Sequence, residues 1–272
     1  MSVQPALQDP PSGRALNPRQ AGILEIVRSN GTVRVEDLAR RFQVAAQTVR
    51  RDLTRLAEDG LLSRYHGGVQ RSDSTTENIA YRQRQALHRD AKKRIAKAVA
   101  REVPDGCSLS LNIGTTIEAI AAELLQHRNL RVITNNLNVA ATLADNPHCE
   151  VIVAGGVVRP RDRAIVGEAA LNFISQFKVD IGLIGISSIE ADGSLRDFDY
   201  RREVSVARGI LQYSRAVWLA ADHSKFHRSA MVEVGRLDQI NRLFTDQPPP
   251  PPFGTLLSDA GVDCVVASGE FK

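Results

Sequence analysis

From Cys107 onward, short apolar runs alternate with helical patterns, and this alternation constrains the fold more than any other feature of the chain. CSLSLN (107–112) precedes TIEAIAAELLQ (116–126), RVIT (131–134) precedes NVAATLA (138–144), and EVIVAGG (150–156) follows. Later come KVDIGLIGI (178–186), a helical pattern from Glu203 to Tyr213, AVWLAAD (216–222), RLFTD (242–246) and VDCVVA (262–267). Parallel strands need long crossovers, usually helices, so this order predicts a mostly parallel sheet covered by helices. There is no tandem repeat.

Before residue 107 the pattern is different. Residues 1–16 are rich in Pro, Gly and polar residues and are expected to be a disordered tail. Three short helical patterns follow: Arg19 to Ser29, with Ile23, Ile26 and Val27 on one face; Val35 to Phe42, with Leu38, Ala39 and Phe42 apolar; and Ala45 to Asp59, closed by Gly60. LLSRYHGGVQ then reads as a small hairpin turned at His66-Gly67-Gly68. RSDSTTENIA (71–80) reads as linker, and a charged helix from His88 to Val103 ends at Pro104-Asp105-Gly106. The expected division is a tail over 1–16, a winged helix-turn-helix domain over 17–71, a linker over 72–87 and an α/β domain over 88–268. The run QPPPPP (247–252) reads as a stiff surface connection.

Charge separates the same two parts. Residues 14–100 hold 18 Lys and Arg against 9 Asp and Glu, whereas residues 101–272 hold 17 against 21. A basic module for a polyanion joined to a weakly acidic module fits that asymmetry; a solvated basic face is the plain alternative. No apolar run approaches the ~18 residues that span a bilayer, and the start lacks a signal-peptide core, so a cytoplasmic location is expected. Cys107, Cys149 and Cys264 are odd in number and far apart, which argues against a metal site or a disulfide framework. No metal or cofactor is expected.

On the third helix Val49, Leu53 and Leu56 recur at helical spacing and form an inward stripe. At 100° per residue Gln47, Arg50, Arg51 and Thr54 point the other way, with Thr48 beside them. These residue types suit a DNA groove: arginine reaches two acceptors on a guanine edge, glutamine pairs with adenine, and threonine meets phosphate or a thymine methyl. The hairpin would act as a wing, with Arg64 and His66 touching backbone or minor groove. A small helical bundle with a solvated arginine face is the competing reading.

In the second module, LSLNIGTTIEAIAAELL (109–125) ends a strand, turns at Gly114-Thr115-Thr116 and enters a helix at once. Backbone N–H groups and the helix dipole converge there on an anion. The same residues also describe a simple capped turn. The segment is neither GxGxxG nor a P-loop. Asn135 and Asn136, Gly155 and Gly156, and Asp222 with Lys225 stand where other strands should end, which is where ligands of parallel sheets bind. Together they could hold a small phosphorylated polyol, with Lys225 as the cation for its phosphate. Asp222-His223-Ser224 does not make a catalytic triad, because sequence neighbours point apart. No catalytic residue is expected, and His148 and His227 read as surface residues.

VRVEDLARRFQVAAQTVRRDLTRLAEDGLL followed by RYHGG resembles the DNA-binding domain of DeoR-type bacterial repressors. Residues 77–267 resemble the effector domain of the same family, which implies a fold related to ribose-5-phosphate isomerase and the sensing of sugar phosphates. NIGTTIEA, LRVITNNLNVA, AGGVVRPRD, VGEAALNFISQF, GSLRDFDYRREV and DHSKF are closest to the branch that governs the glycerol-3-phosphate regulon. The resemblance implies a homo-oligomeric repressor, dimer or tetramer, of glycerol metabolism genes. It would bind double-stranded operator DNA and be released by sn-glycerol 3-phosphate. A different sugar-phosphate effector, or an isomerase carrying a basic head, remain the alternatives; no carboxylate base matched to the GTT loop supports the second. The sequence departs from the family pattern in the tail before Asn17, the doubled Arg201-Arg202 and the proline run.

Overall fold

The computed structural model describes residues 17–30, 32–58, 62–65, 68–71, 81–198 and 204–267. The expected tail (1–16), the Gly60 helix end, His66, the linker stretch 72–80 and Arg201-Arg202 lie outside them. The chain divides into two compact units, residues 1–73 and 74–272.

The first unit runs α1 (Pro18–Asn30), β1 (Thr32–Arg34), α2 (Val35–Phe42), α3 (Ala46–Glu58), β2 (Leu62–Tyr65) and β3 (Gly68–Arg71). Gln43 ends α2 in the left-handed region (φ 53°), and its N–H returns to the carbonyls of Ala39 and Arg40, which makes the turn into α3 tight. Ile23, Leu24, Val27, Leu38, Val49, Leu53 and Leu56 close one core, so the expected inward stripe of α3 is where the periodicity puts it. The hairpin β2–β3 is antiparallel, and β3 also pairs with β1. β1 carries no signal of its own at three residues; pairing of Val33 with Val69 and burial of Val33 define it. A polar tie joins α1 to α3: buried Asp52 accepts from Arg19 Nε at 2.5 Å and from Gln20 Nε2 at 3.1 Å.

In the second unit α4 (Tyr81–Ala86) and α5 (Arg89–Glu102) lead to β4 (Ser108–Leu111), α6 (Thr115–Glu123), β5 (Leu130–Thr134), α7 (Leu137–Leu143) and β6 (Cys149–Val153). The hairpin β7 (Val157–Arg159) and β8 (Ala164–Val166) follows, then α8 (Glu168–Ile174), β9 (Val179–Ile184), β10 (Ser188–Ile189) and β11 (Ser194–Asp197). The chain closes with α9 (Val204–Tyr213), β12 (Ser214–Ala220), β13 (Val232–Arg236), β14 (Arg242–Thr245), α10 (Phe253–Asp259) and β15 (Asp263–Val266).

Seven strands form a parallel sheet in the order β15-β14-β12-β9-β4-β5-β6. Successive residues of β12 face opposite cores, as a strand period of two requires: Val217 and Leu219 join Ile174, Ala207 and Ile210, while Trp218 joins Ile95, Ile117 and Leu143. The sheet is covered on both faces. A small antiparallel sheet, β10-β11-β13, and the β7–β8 hairpin sit outside it, and alternation alone did not announce them. Residues 81–86, expected as the end of a linker, form α4 instead. So short a helix has little stability alone, and tertiary contacts hold it: the Tyr81 hydroxyl donates to Glu118 Oε2 at 2.7 Å and accepts from Asn138 Nδ2 at 2.8 Å.

Candidate functional sites: an exposed helix face and a crevice at the sheet edge

On α3, Gln47, Arg50 and Arg51 are exposed, Thr48 and Thr54 are half-buried, and all turn away from the buried Val49, Leu53 and Leu56. Arg50 lies 4.0 Å from Glu36 on α2, a loose pair with both side chains more than half exposed. The Thr54 hydroxyl donates to the Arg50 carbonyl at 2.8 Å, so that hydroxyl stabilises its own helix. Arg64 lies on β2 opposite Val69. Two arginines and a glutamine therefore present exposed polar ends on one helix face, which suits phosphates and base edges.

In the second unit the strand order reverses between β4 and β9. From β4 the chain moves outward to β5 and β6; it then returns to β9 on the other side of β4 and continues through β12, β14 and β15. Open parallel sheets bind ligands outside the carboxyl ends of the strands at such a reversal. The segments there are Asn112–Thr116 after β4 and Gly185–Ser187 after β9; a Cβ on Gly185 would stand 3.7 Å from the Ile113 carbonyl oxygen and from Ile117 Cγ1. Gly114 has φ 130°, a conformation L side chains avoid, and its carbonyl accepts from Glu118 N at 3.0 Å as α6 begins. Thr115 Oγ1 lies 3.5 Å from the Arg84 carbonyl oxygen, and Thr116 is buried.

β12 is next to β9, so Asp222 and Lys225 rise beside the same reversal. Asp222 is buried; its Oδ1 caps the 3-10 turn His223–His227 by accepting from Ser224 N at 3.0 Å. Its Oδ2 has no hydrogen-bond partner among the described residues and lies 3.8 Å from Lys225 Nζ. Burial alone would raise the Asp222 pKa, but Lys225, His88, the Ser224 hydroxyl and Lys92 outweigh it and hold the carboxyl well below the usual range. Burial pushes the Lys225 ammonium down, with Asp222 opposing. Ser224 Oγ donates to Asp222 directly, whereas His223 Nδ1 pairs with Asp246 Oδ2 at 2.9 Å, so the imidazole does not stand between the hydroxyl and the Asp222 carboxylate and the three form no triad.

The remaining expected residues divide. Asn135 is buried, donates to the Ile165 carbonyl at 3.1 Å and keeps Oδ1 without a partner among the described residues. Asn136 caps α7, accepting from Asn138 N at 2.9 Å and donating to Glu118 Oε1 at 3.3 Å. Gly155 and Gly156 follow β6, four strand positions from β12, or roughly 19 Å at ~4.8 Å per strand. Gly156 (φ 146°) packs on Ile165, where a Cβ would stand 3.1 Å from Cγ2.

Four groups at the crevice escaped the sequence reading: Arg84, His88, Lys92 and Arg228. Burial lowers the pKa of Lys92 to about 8, with Lys225 adding to the effect. Burial likewise lowers His88 and Arg228. Arg84, His88 and Lys92 follow one another at intervals of four, but Lys225 and Arg228 lie more than 130 residues further on, and only the topology gathers the two groups. Among the described residues there is no group of three or more His, Cys, Asp or Glu able to hold a metal ion, and no helix long and apolar enough to cross a membrane.

Residues 19–75 match the DeoR-like helix-turn-helix domain, and residues 87–247 match the DeoR C terminal sensor domain. The chain is 48% identical over 241 residues to the glycerol-3-phosphate regulon repressor of Escherichia coli (strain K12), covering 89% of this chain and 95% of that one. It is 40% identical over 250 residues to the HTH-type transcriptional repressor CsqR of the same organism, covering 92% and 95%. Among solved structures it is similar to ribose 5-phosphate isomerase A from Methanocaldococcus jannaschii, at 15% identity and TM-score 0.37, over 51% of this chain and 54% of that one. That likeness is too loose to bear on activity. A helix-turn-helix head and a parallel α/β unit, matched in order by the two DeoR domains and along nearly the whole length of both relatives, make this chain a member of the DeoR family.

Proposed function

We infer that the chain is a transcriptional repressor of genes for glycerol 3-phosphate metabolism and not an enzyme. Its head, residues 17–71, binds operator DNA through Gln47, Thr48, Arg50, Arg51 and Thr54 on α3, with Arg64 and His66 on the wing. Its sensor, residues 88–268, takes sn-glycerol 3-phosphate and releases the operator. The 48% identity to the glycerol-3-phosphate regulon repressor, over almost the whole of both chains, carries this reading. The crevice supports it chemically: Gly114, Thr115 and Thr116 offer amides and hydroxyls beside Asp222 and Lys225, a set suited to a phosphate and a polyol. The protein acts as a homo-oligomer, in keeping with paired half-sites on an operator.

The test is operator affinity measured with and without sn-glycerol 3-phosphate. A ligand releases DNA only if it binds the DNA-free conformation better than the DNA-bound one. Weakened operator binding on addition of the compound is expected. An unchanged operator affinity would reject it as inducer, and a panel of aldose and ketose phosphates, scored by thermal shift and by turnover, would then identify another effector or an isomerase activity.

A further inference from the structure

The elbow between α4 and α5 reaches into the crevice. Lys92 is buried on α5, and its ammonium donates to the carbonyls of Arg84 and of Leu87, the latter at 2.7 Å. His88, at φ 53°, forms the bend, and its ring stands edge-on to His223 at 4.8 Å. Thr115 at the start of α6 faces the Arg84 carbonyl. One ammonium, one bend and one threonine thus set where the Arg84 side chain goes.

The Arg84 guanidinium is poorly used by the protein itself. Its side chain is 17% exposed and lies 3.8 Å from Asp162 Oδ2, whose oxygens already accept from Arg159 at 2.8 and 2.6 Å. Arg84 Nε is buried with no hydrogen-bond partner among the described residues. Arg84, Lys92, Lys225 and Arg228 all lie within electrostatic reach of one another or of Asp222. Asp197 Oδ1 accepts from the Ser187 hydroxyl and the Phe198 amide, both at 2.7 Å, and Glu118 accepts from Tyr81 and Asn138, so neutral donors orient these carboxylates. Cations gathered out of water repel one another, and a bound anion relieves that cost.

We propose that Arg84 contacts the anionic group of the sensor's ligand, so that one phosphate bridges the Lys225 loop to the α4–α5 elbow. Lys92 is a positioning residue that holds the elbow's carbonyls, and the ligand thereby fixes the first described helix after the DNA-binding head. The idea rests on the sensing role inferred above and adds the route by which occupancy reaches the chain leading to the head. Tyr81 anchors the same helix to Glu118 and Asn138 without facing the cation cluster through its own charge.

Calorimetric titration of the full chain with sn-glycerol 3-phosphate, and separately with inorganic phosphate, tests the contact. Arg84→Ala should weaken both by about tenfold or more, as loss of a charge-assisted hydrogen bond does, and Arg84→Lys should recover part of it. Lys92→Met should weaken binding less and reduce its decline at alkaline pH, the remainder being due to the buried Lys225, a change of pH profile that misfolding would not give. Tyr81→Phe should bind ligand within about twofold of the wild type yet lose much of the ligand's effect on operator affinity. Wild-type binding in both Arg84 variants overturns the contact, and full release in Tyr81→Phe overturns the transmission route. If the wild-type chain ignores glycerol 3-phosphate but Arg84→Ala abolishes phosphate binding, the effector identity falls while the contact stands.

Discussion

The head and the sensor present their chemistry in opposite ways. On α3 the polar face is exposed and its side chains do little for the fold, whereas the crevice is made of buried groups that also hold the sheet's loops in place. Arg50 has a loose pair at 4.0 Å, but Asn136 caps a helix and Asp222 caps a turn. A surface that must meet a solvated polyanion can be laid over a finished core. A pocket that must exclude water has to be part of the core. Function and stability should therefore separate in one unit and be coupled in the other.

The largest expected effect probes the base of that contrast. Leu53→Ala, with 2% exposure, should destabilise the head by roughly 2 to 5 kcal/mol in denaturant unfolding and lower operator binding only through the folded fraction. Next, Lys225→Ala should cost about 1.5 to 3 kcal/mol in glycerol 3-phosphate affinity. It should also lower the sensor's melting temperature, because Asp222 Oδ2 loses the cation 3.8 Å away. A variant with weakened binding and unaltered melting would break the claim that the two are coupled here. Arg50→Ala or Arg51→Ala should weaken specific operator binding by roughly 1 to 3 kcal/mol while unfolding stays within about 0.5 kcal/mol of wild type. Unchanged operator affinity in both would remove α3 from the DNA interface.

The smallest effect is one of pH. Folded Lys92 loses its proton at about 8, below the ordinary lysine value of 10.5, because burial and Lys225 disfavour its charge while Asp222 and Glu118 only partly compensate. Between those values the unfolded chain binds more protons, so the ligand-free sensor gains stability as pH rises through the window. Phosphate affinity moves the other way, falling by at most about tenfold between pH 7 and 9. Operator binding through arginines should stay level over the same range, which paired titrations can check.

How much of this the sequence disclosed follows the range of the interactions. The α3 stripe depends on residues three and four apart, so periodicity revealed it, and the seven parallel strands announced themselves through apolar runs. The GTT turn was readable because glycine at φ 130° leaves a local mark. The reversal between β4 and β9 was not readable, since strand order depends on pairings between distant segments. Nothing local marks Arg84 and Lys92 either, since the partners that make them a cluster, Lys225 and Arg228, lie more than 130 residues away. Gly155 and Gly156 were expected at the ligand because they end a strand; sheet order puts that strand at the far edge. α4 was missed because six residues held by tertiary contacts to Glu118, Asn138 and Lys92 leave no pattern in sequence.

The pairing of β4 with β9 also sets a timetable. Leu109 lies beside Ile181, so the middle of the sheet cannot close until the intervening chain has left the ribosome. The head is a compact unit made of residues before 74. At ~10 residues per second, a DNA-reading unit is complete roughly twenty seconds before its regulator. Nascent chains stalled with only residues 1–150 outside the ribosome should show a protease-resistant head and a cleavable sensor, and equal resistance in both would contradict this order. Each newly made molecule passes through an interval in which it is able to grip DNA and is deaf to its metabolite.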